Sequence, residues 1–78
     1  MEFEVLVKLK EEVLDPEGRA IKETLDRQGI RGVVDVEVSK RYRIKIDKPE
    51  GEAHATVEKI ASAYLANPVS QSFEIRRI

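Results

Sequence analysis

Cysteine is missing from this 78-residue chain, and histidine occurs once. Without thiols there is no disulfide to staple the fold and no thiolate to hold a metal. A single imidazole cannot build a His-rich metal site either. Charge of one sign is missing too: 14 Lys and Arg face 15 Asp and Glu, for a net charge of −1. A balanced surface exerts little long-range pull on nucleic acid or an anionic membrane. No apolar run reaches the roughly 20 residues of a bilayer span, and the first residues carry no basic-then-apolar leader pattern. A cytoplasmic protein without membrane contact is therefore expected. No glycine-rich phosphate loop is present. What remains is one small domain over residues 1–78. A core of this size supplies only about 3–5 kcal/mol, and with disulfides and metals excluded, self-association is the expected additional support.

The most determined stretch runs from Val5 to Ile21. Phe3, Val5, Val7 and Leu9 alternate with Glu4, Leu6, Lys8 and Lys10, which predicts a half-buried strand over about Glu2 to Lys10. Asp15 then stands at a helix N-cap with Pro16 at the first helical position, where a missing N–H costs nothing. Glu17 adds negative charge at the positive end of the helix dipole. Ala20, Ile21, Thr24, Leu25 and Gln28 share one stripe, and Gly29 is suited to end the helix in the left-handed conformation. The predicted helix covers Pro16 to Gln28.

Val34, Val36 and Val38 alternate with Asp35 and Glu37, predicting a second strand over Val33 to Ser39. Tyr42, Ile44 and Ile46 alternate with Arg43 and Lys45, predicting a third over Tyr42 to Asp47, with Ser39-Lys40-Arg41 as the hairpin turn. A second helix is predicted over Glu52 to Ala66, with Ala53, Val57, Ile60, Ala61, Tyr64 and Leu65 on its apolar stripe. It ends at Asn67-Pro68, because the residue before a proline avoids helical angles. Phe73 and Ile75, alternating with Glu74 and Arg76, form a C-terminal strand. The order βαββαβ predicts an α+β, ferredoxin-like-related two-layer sandwich: a four-stranded antiparallel sheet with two helices on one face. Val5, Val34, Ile44 and Ile75 are expected to face the helices, leaving a charged, solvated open face.

Chemistry-bearing residues are sparse. His54 has no acid, Ser or Cys at a diagnostic spacing and reads as a surface helix residue. Ser39, Ser62, Ser70 and Ser72 lack the strained turn of a nucleophile. Lys40, Arg41, Arg43, Lys45 and Lys48 form the one local basic cluster, but Tyr42, Phe3 and Phe73 fall in phase with the core side. The open face thus offers no aromatic platform for RNA bases. Gly18 is the odd residue of the first helix, since Gly in a first turn costs about 1 kcal/mol against Ala. A close approach by another backbone or a partner would account for it.

The residues Val5, Val7, Leu9, Lys10, Val13, Leu14, Asp15, Pro16, Gly18, Ala20 and Ile21, then Leu25 and Gly29, carry a resemblance. It continues through Val36, Val38, Lys40 and Tyr42 to Leu65-Ala66-Asn67-Pro68-Val69 and Phe73-Glu74-Ile75. In these positions, over nearly its whole length, the chain resembles PurS, the small accessory subunit of phosphoribosylformylglycinamidine synthase. It departs from the family pattern at Ser39, where a Gly is usual, and in having no Cys near Ala61. The resemblance implies a non-catalytic assembly subunit of a glutamine- and ATP-dependent ligase in purine biosynthesis. It implies self-association as a dimer or dimer of dimers, and bridging of a synthetase (PurL-like) and a glutaminase (PurQ-like) subunit so that ammonia passes between them. No cofactor is implied in this chain; ATP, Mg and glutamine are used by the partner subunits. Lys10, Gly18, Lys40 and Asn67, at element ends within the matched motifs, are the partner-contact candidates. Asp15, Pro16 and Pro68 are assigned to shaping the backbone. The alternative is a small dimeric amino-acid-sensing regulatory domain of the same element order.

Overall fold

A computed structural model describes all residues, 1–78. Its sheet has three strands: β1 (Glu2–Leu9), β2 (Ser39–Lys45) and β3 (Gln71–Arg77), in the order β2-β1-β3, with β1 antiparallel to both neighbours. Helix α1 spans Pro16–Arg27, and helix α2 spans Glu50–Ile60 and runs into a π-turn at Ala61–Leu65.

β1 lies in the middle because it alternates most cleanly. Phe3, Val5 and Val7 point to one side and are buried. In register with them stand Ile44, Tyr42 and Lys40 on β2, and Arg77, Ile75 and Phe73 on β3. α2 covers this side through Ala53, Val57 and Ala61, spaced four apart on one stripe. Two of those three side chains are single methyl groups, so the helix can lie close to the sheet. Tyr42, Ile44, Ile46, Leu65, Phe73 and Ile75 pack around this core. His54 sits on the exposed side of α2 with its ring edge-on to Phe3, 6.1 Å between centroids.

The other side of the sheet is polar. Arg41 pairs with Glu4 at 2.6 Å, while Arg43 and Lys45 pair with Glu2 at 2.7 and 3.5 Å. The bonds from Arg43 are the leading cause that holds the Glu2 carboxyl below its ordinary range. Pairs this exposed contribute little to stability; they keep the face soluble. The basic cluster is thus largely neutralised by β1. No helix is long and apolar enough to cross a membrane.

The predicted four-stranded sheet is not formed. Ser39-Lys40-Arg41 is no hairpin turn but the first part of β2, opposite Lys8, Val7 and Leu6. A tight turn needs residues that accept positive φ, such as Asn-Gly, and Ser-Lys-Arg offers none, so the strand runs straight through. Residues 31–38 carry no regular structure, and Val34, expected to face the helices, is 88% exposed. Alternation reports that one side of a segment prefers to be covered; it does not say that the cover lies in the same chain.

α1 departs from the prediction in the same way. Its only buried residue is Gly18, and none of its side chains joins the core. The helix projects from the sheet as an arm, with residues 28–38 returning beside its first turn. The result is a molecule of 51 × 25 × 14 Å with a radius of gyration of 16.1 Å. A compact chain of this length has a radius near 12 Å, by the usual scaling.

Candidate functional site

The base of the arm is built around Asp15. Its carboxylate Oδ1 accepts the Gly18 N–H at 3.0 Å, as an N-cap should. Its other oxygen, Oδ2, accepts the Val38 N–H at 2.9 Å. One side chain therefore starts the helix and fastens the returning segment just before it enters β2. Pro16 occupies the first helical position. At Gly18 the returning backbone comes so close that a Cβ would lie 2.2 Å from the Val36 carbonyl oxygen and 2.7 Å from Asp15 Oδ2. The close approach inferred for Gly18 is real, and the approaching backbone is the chain's own. At the far end, Gly29 (φ 75°) closes the helix: the Gly29 N–H donates to Asp26 O and the Ile30 N–H to Leu25 O. This is the double-bonded glycine stop expected there.

The N–H donors hold Asp15 below the ordinary carboxylate range, Gly18 contributing most, then Val38, against a smaller opposing effect of desolvation. A group with a depressed folded-state pKa stabilises the fold fully above its unfolded value, about 3.9. That contribution is lost as pH falls through the lower folded value. Urea unfolding of the wild type and Asp15→Asn should therefore differ by a steady amount from neutral pH down to about pH 4 and converge only as pH falls further, through the lower folded value. A constant difference down to strong acid would show that the carboxylate charge is not what fastens the arm.

The four partner-contact candidates fall in different places. Lys10 follows β1 and spends its ammonium on the Pro68 carbonyl at 2.8 Å, while its N–H donates to Ser70 O. Asn67 organises the same loop: its side-chain oxygen accepts the Val69 N–H at 3.0 Å, its carbonyl accepts from Ser70 and Gln71, and its own N–H donates to Gln71 Oε1. Lys10 and Asn67 are thus brought together, and both shape the turn into β3. Gly18 belongs to the arm's base. Lys40 lies inside β2, in register with Val7 on the helix-facing side, exposed and without an ion-pair partner. It borders a cleft of about 310 Å³ that Leu9, Leu14, Pro16, Glu17 and Val38 also line. A second cleft, of about 560 Å³, lies between β1 and the arm's base; Lys8 and Lys10 face Glu11, Glu12, Asp15, Asp35 and Glu37 there.

Sequence reasoning missed the second role of Asp15, which no local pattern signals, because Val38 is 23 positions away. It also misplaced Tyr64. The Ala66 N–H bonds back five residues, to Ala61 O at 2.9 Å, widening the last turn of the helix. The stripe then slips, and Tyr64 turns out to solvent, 78% exposed, while Ala66 is buried. Nothing in these clefts or turns aligns a nucleophile with a base; the features on offer are surfaces and shaped loops.

The family model PurS, described as phosphoribosylformylglycinamidine (FGAM) synthase, matches residues 2–78. The chain belongs to the PurS family. The PurS subunit of phosphoribosylformylglycinamidine synthase from Mycobacterium leprae is 38% identical over 73 residues, 94% of this chain and 90% of that protein. The crystal structure of PurS from Methanocaldococcus jannaschii, one of the subunits of formylglycinamide ribonucleotide amidotransferase in the purine biosynthetic pathway, superimposes with a TM-score of 0.86. It is 36% identical and covers 96% of this chain and 92% of that one. A chain in the structure of PurLQS from Thermotoga maritima shares the fold, with a TM-score of 0.75 and 24% identity over 99% and 95% of the two chains. PurS is a subunit of FGAM synthase, a ligase of purine biosynthesis, in which its part is accessory.

Proposed function

We propose that this chain is the assembly subunit of a phosphoribosylformylglycinamidine synthase complex. It holds a synthetase and a glutaminase together so that ammonia released by one reaches the other out of contact with water. The carrying observation is the arm: Ile21, Ile30 and Val34 are exposed on a helix and return segment whose side chains take no part in the chain's own core, with Leu14 exposed just before the helix. Exposed apolar surface of that extent on a small domain marks a protein–protein contact. A second copy is the first occupant of the arm, as a dimer or dimer of dimers, since the chain's own buried core is only seven residues. ATP, Mg and glutamine are used on the larger subunits. The place of action is the cytoplasm.

The test is reconstitution. Adding the chain to both larger subunits should raise the glutamine-dependent rate strongly and the rate with free ammonium salt much less. Ile21→Glu, which puts a charge on the arm, should lower both self-association and the glutamine-dependent rate. Equal rates with and without the chain would overturn the proposal, as would turnover by the chain alone. The amino-acid-sensing alternative gains no support from the larger cleft, whose five carboxylates against two lysines would repel an α-carboxylate.

A further inference from the structure

Residues 33–38 run straight into β2, with Val34, Val36 and Val38 alternating against Asp35 and Glu37. Their backbone is engaged on one side only. The Val38 N–H donates to Asp15, and the Val36 carbonyl lies against Gly18 at the arm's base. In extended chain the alternate residues turn their backbone groups the other way, and the Asp35 and Glu37 N–H groups have no partner in the chain. β2 keeps the same phase. Met1 and Ile46 exchange both backbone bonds. In that register Ile44, Tyr42 and Lys40 also bond to β1, while Ser39, Arg41, Arg43 and Lys45 turn their N–H and C=O groups outward. One open edge thus runs from Asp35 to Lys45, and an open edge is a template for another strand.

This edge is complementary to itself. Two copies laid antiparallel about a two-fold axis at Lys40 set Val38 of one opposite Tyr42 of the other, Val36 opposite Ile44, and Val34 opposite Ile46. Tyr42, Ile44 and Ile46 already border the core on the helix-facing side. On the other side the same register sets Glu37 opposite Arg43 and Asp35 opposite Lys45. Asp35 and Glu37 have no ion-pair partner within the chain. Arg41, Arg43 and Lys45 share only Glu2 and Glu4. Apolar and opposite-charge pairs directly across two strands stabilise them, and like charges oppose them. Slipping the register one way sets Asp35 opposite Asp47; slipping it the other way sets Val38 opposite Lys40 and Ile46 opposite Gly32. The one unfavourable pair is Lys40 against its own copy, and Glu17 lines the cleft beside it.

We propose that two copies of the chain join by antiparallel pairing of residues 34–46 of one with residues 34–46 of the other, Lys40 standing at the two-fold axis. This rests on the self-association proposed above and specifies its seam. The occupant is a second copy because the chain itself carries the strand that fits: three valines for the apolar side and two unpaired carboxylates for the basic side, at matching spacing. The exposed, unpaired Lys40 then marks the centre of a contact between copies.

Because the chain has no cysteine, one introduced thiol reports on the seam. Residues facing each other at a non-hydrogen-bonded position lie about 4.5 Å apart between Cα atoms, within disulfide range. Lys40→Cys should therefore convert almost fully to a covalent dimer under oxidised glutathione. Arg43, also exposed, faces Glu37 of the other copy, so its two copies stand roughly 20 Å apart along the seam. Arg43→Cys should stay monomeric on a denaturing gel. Glu37→Arg should weaken self-association by about tenfold in sedimentation, since the two-fold axis counts the pair twice. No cross-link in Lys40→Cys, equal cross-linking in Arg43→Cys, or unchanged association of Glu37→Arg would overturn the seam. The glutamine-dependent rate with both larger subunits separates this from the bridging role. A chain that raises that rate but fails the cross-linking test overturns the seam alone. A cross-linked Lys40→Cys dimer that leaves the rate unchanged supports the seam and overturns the bridging role.

Discussion

Gly18→Ala is expected to destabilise the protein by about 2–3 kcal/mol, in the range of an overpacked buried site. An exposed helical Gly→Ala change normally stabilises by about 0.4–1 kcal/mol. Here the new methyl meets backbone: the Val36 carbonyl oxygen at 2.2 Å, with Asp15 Oδ2 at 2.7 Å. A flexible side chain could swing away. A carbonyl tied to its neighbour at Val38, which Asp15 itself holds, cannot do so cheaply. The arm must open at its base, so the damage reaches assembly as well as stability. Gly51→Ala is the control, because that glycine lies in the first turn of α2 with nothing within 4 Å of a Cβ. The two substitutions should move the urea midpoint in opposite directions. A stabilising Gly18→Ala would mean that the contact with Val36 does not exist in solution.

Phe3→Ala is expected to have the largest effect, about 3–5 kcal/mol, as for other buried aromatics cut to alanine. Phe3 is 1% exposed and is the largest side chain of a core with seven buried members. The remainder are valines and alanines, too short to reach into the space it would leave. A domain this small commands only about 3–5 kcal/mol in all, so the variant should be mostly unfolded at micromolar concentration by circular dichroism. Phe3→Leu, closer in volume, should cost less than about 1.5 kcal/mol and stay folded. A cooperative, near-native unfolding curve for Phe3→Ala would show that stability is drawn from elsewhere, chiefly from the self-association surface.

Local signals in the sequence proved dependable where the chain alone satisfies them. Asp15 and Pro16 start α1, Gly29 stops it, and the alternation of Phe3, Val5 and Val7 puts β1 at the centre of the sheet. The unusual placement of Gly18 was legible as a close approach, though not as an approach by Val36. The misreadings share a cause. The apolar residues of Val33 to Ser39 and of the α1 stripe need cover, which predicts layers of a closed sandwich, but periodicity cannot say which molecule supplies the cover. The helical repeat puts Tyr64 on the apolar stripe of the second helix, but the repeat does not carry through a turn that contains an extra residue. Of the candidate contacts, Lys10 and Asn67 meet in one loop, a juxtaposition no local pattern signals, and their visible work there is internal, on the turn that carries Val69.

An arm that draws almost no shelter from its own sheet has a consequence for how much of this protein a cell can keep. By mass action, copies that meet a partner are protected, while in copies that do not the arm beyond its Asp15 fastening stays uncovered. Unmatched copies present an unshielded helix and an irregular, exposed return segment, the kind of substrate on which proteases act first. Supply of the subunit would thus be trimmed to the number of seats available, with no dedicated regulator required.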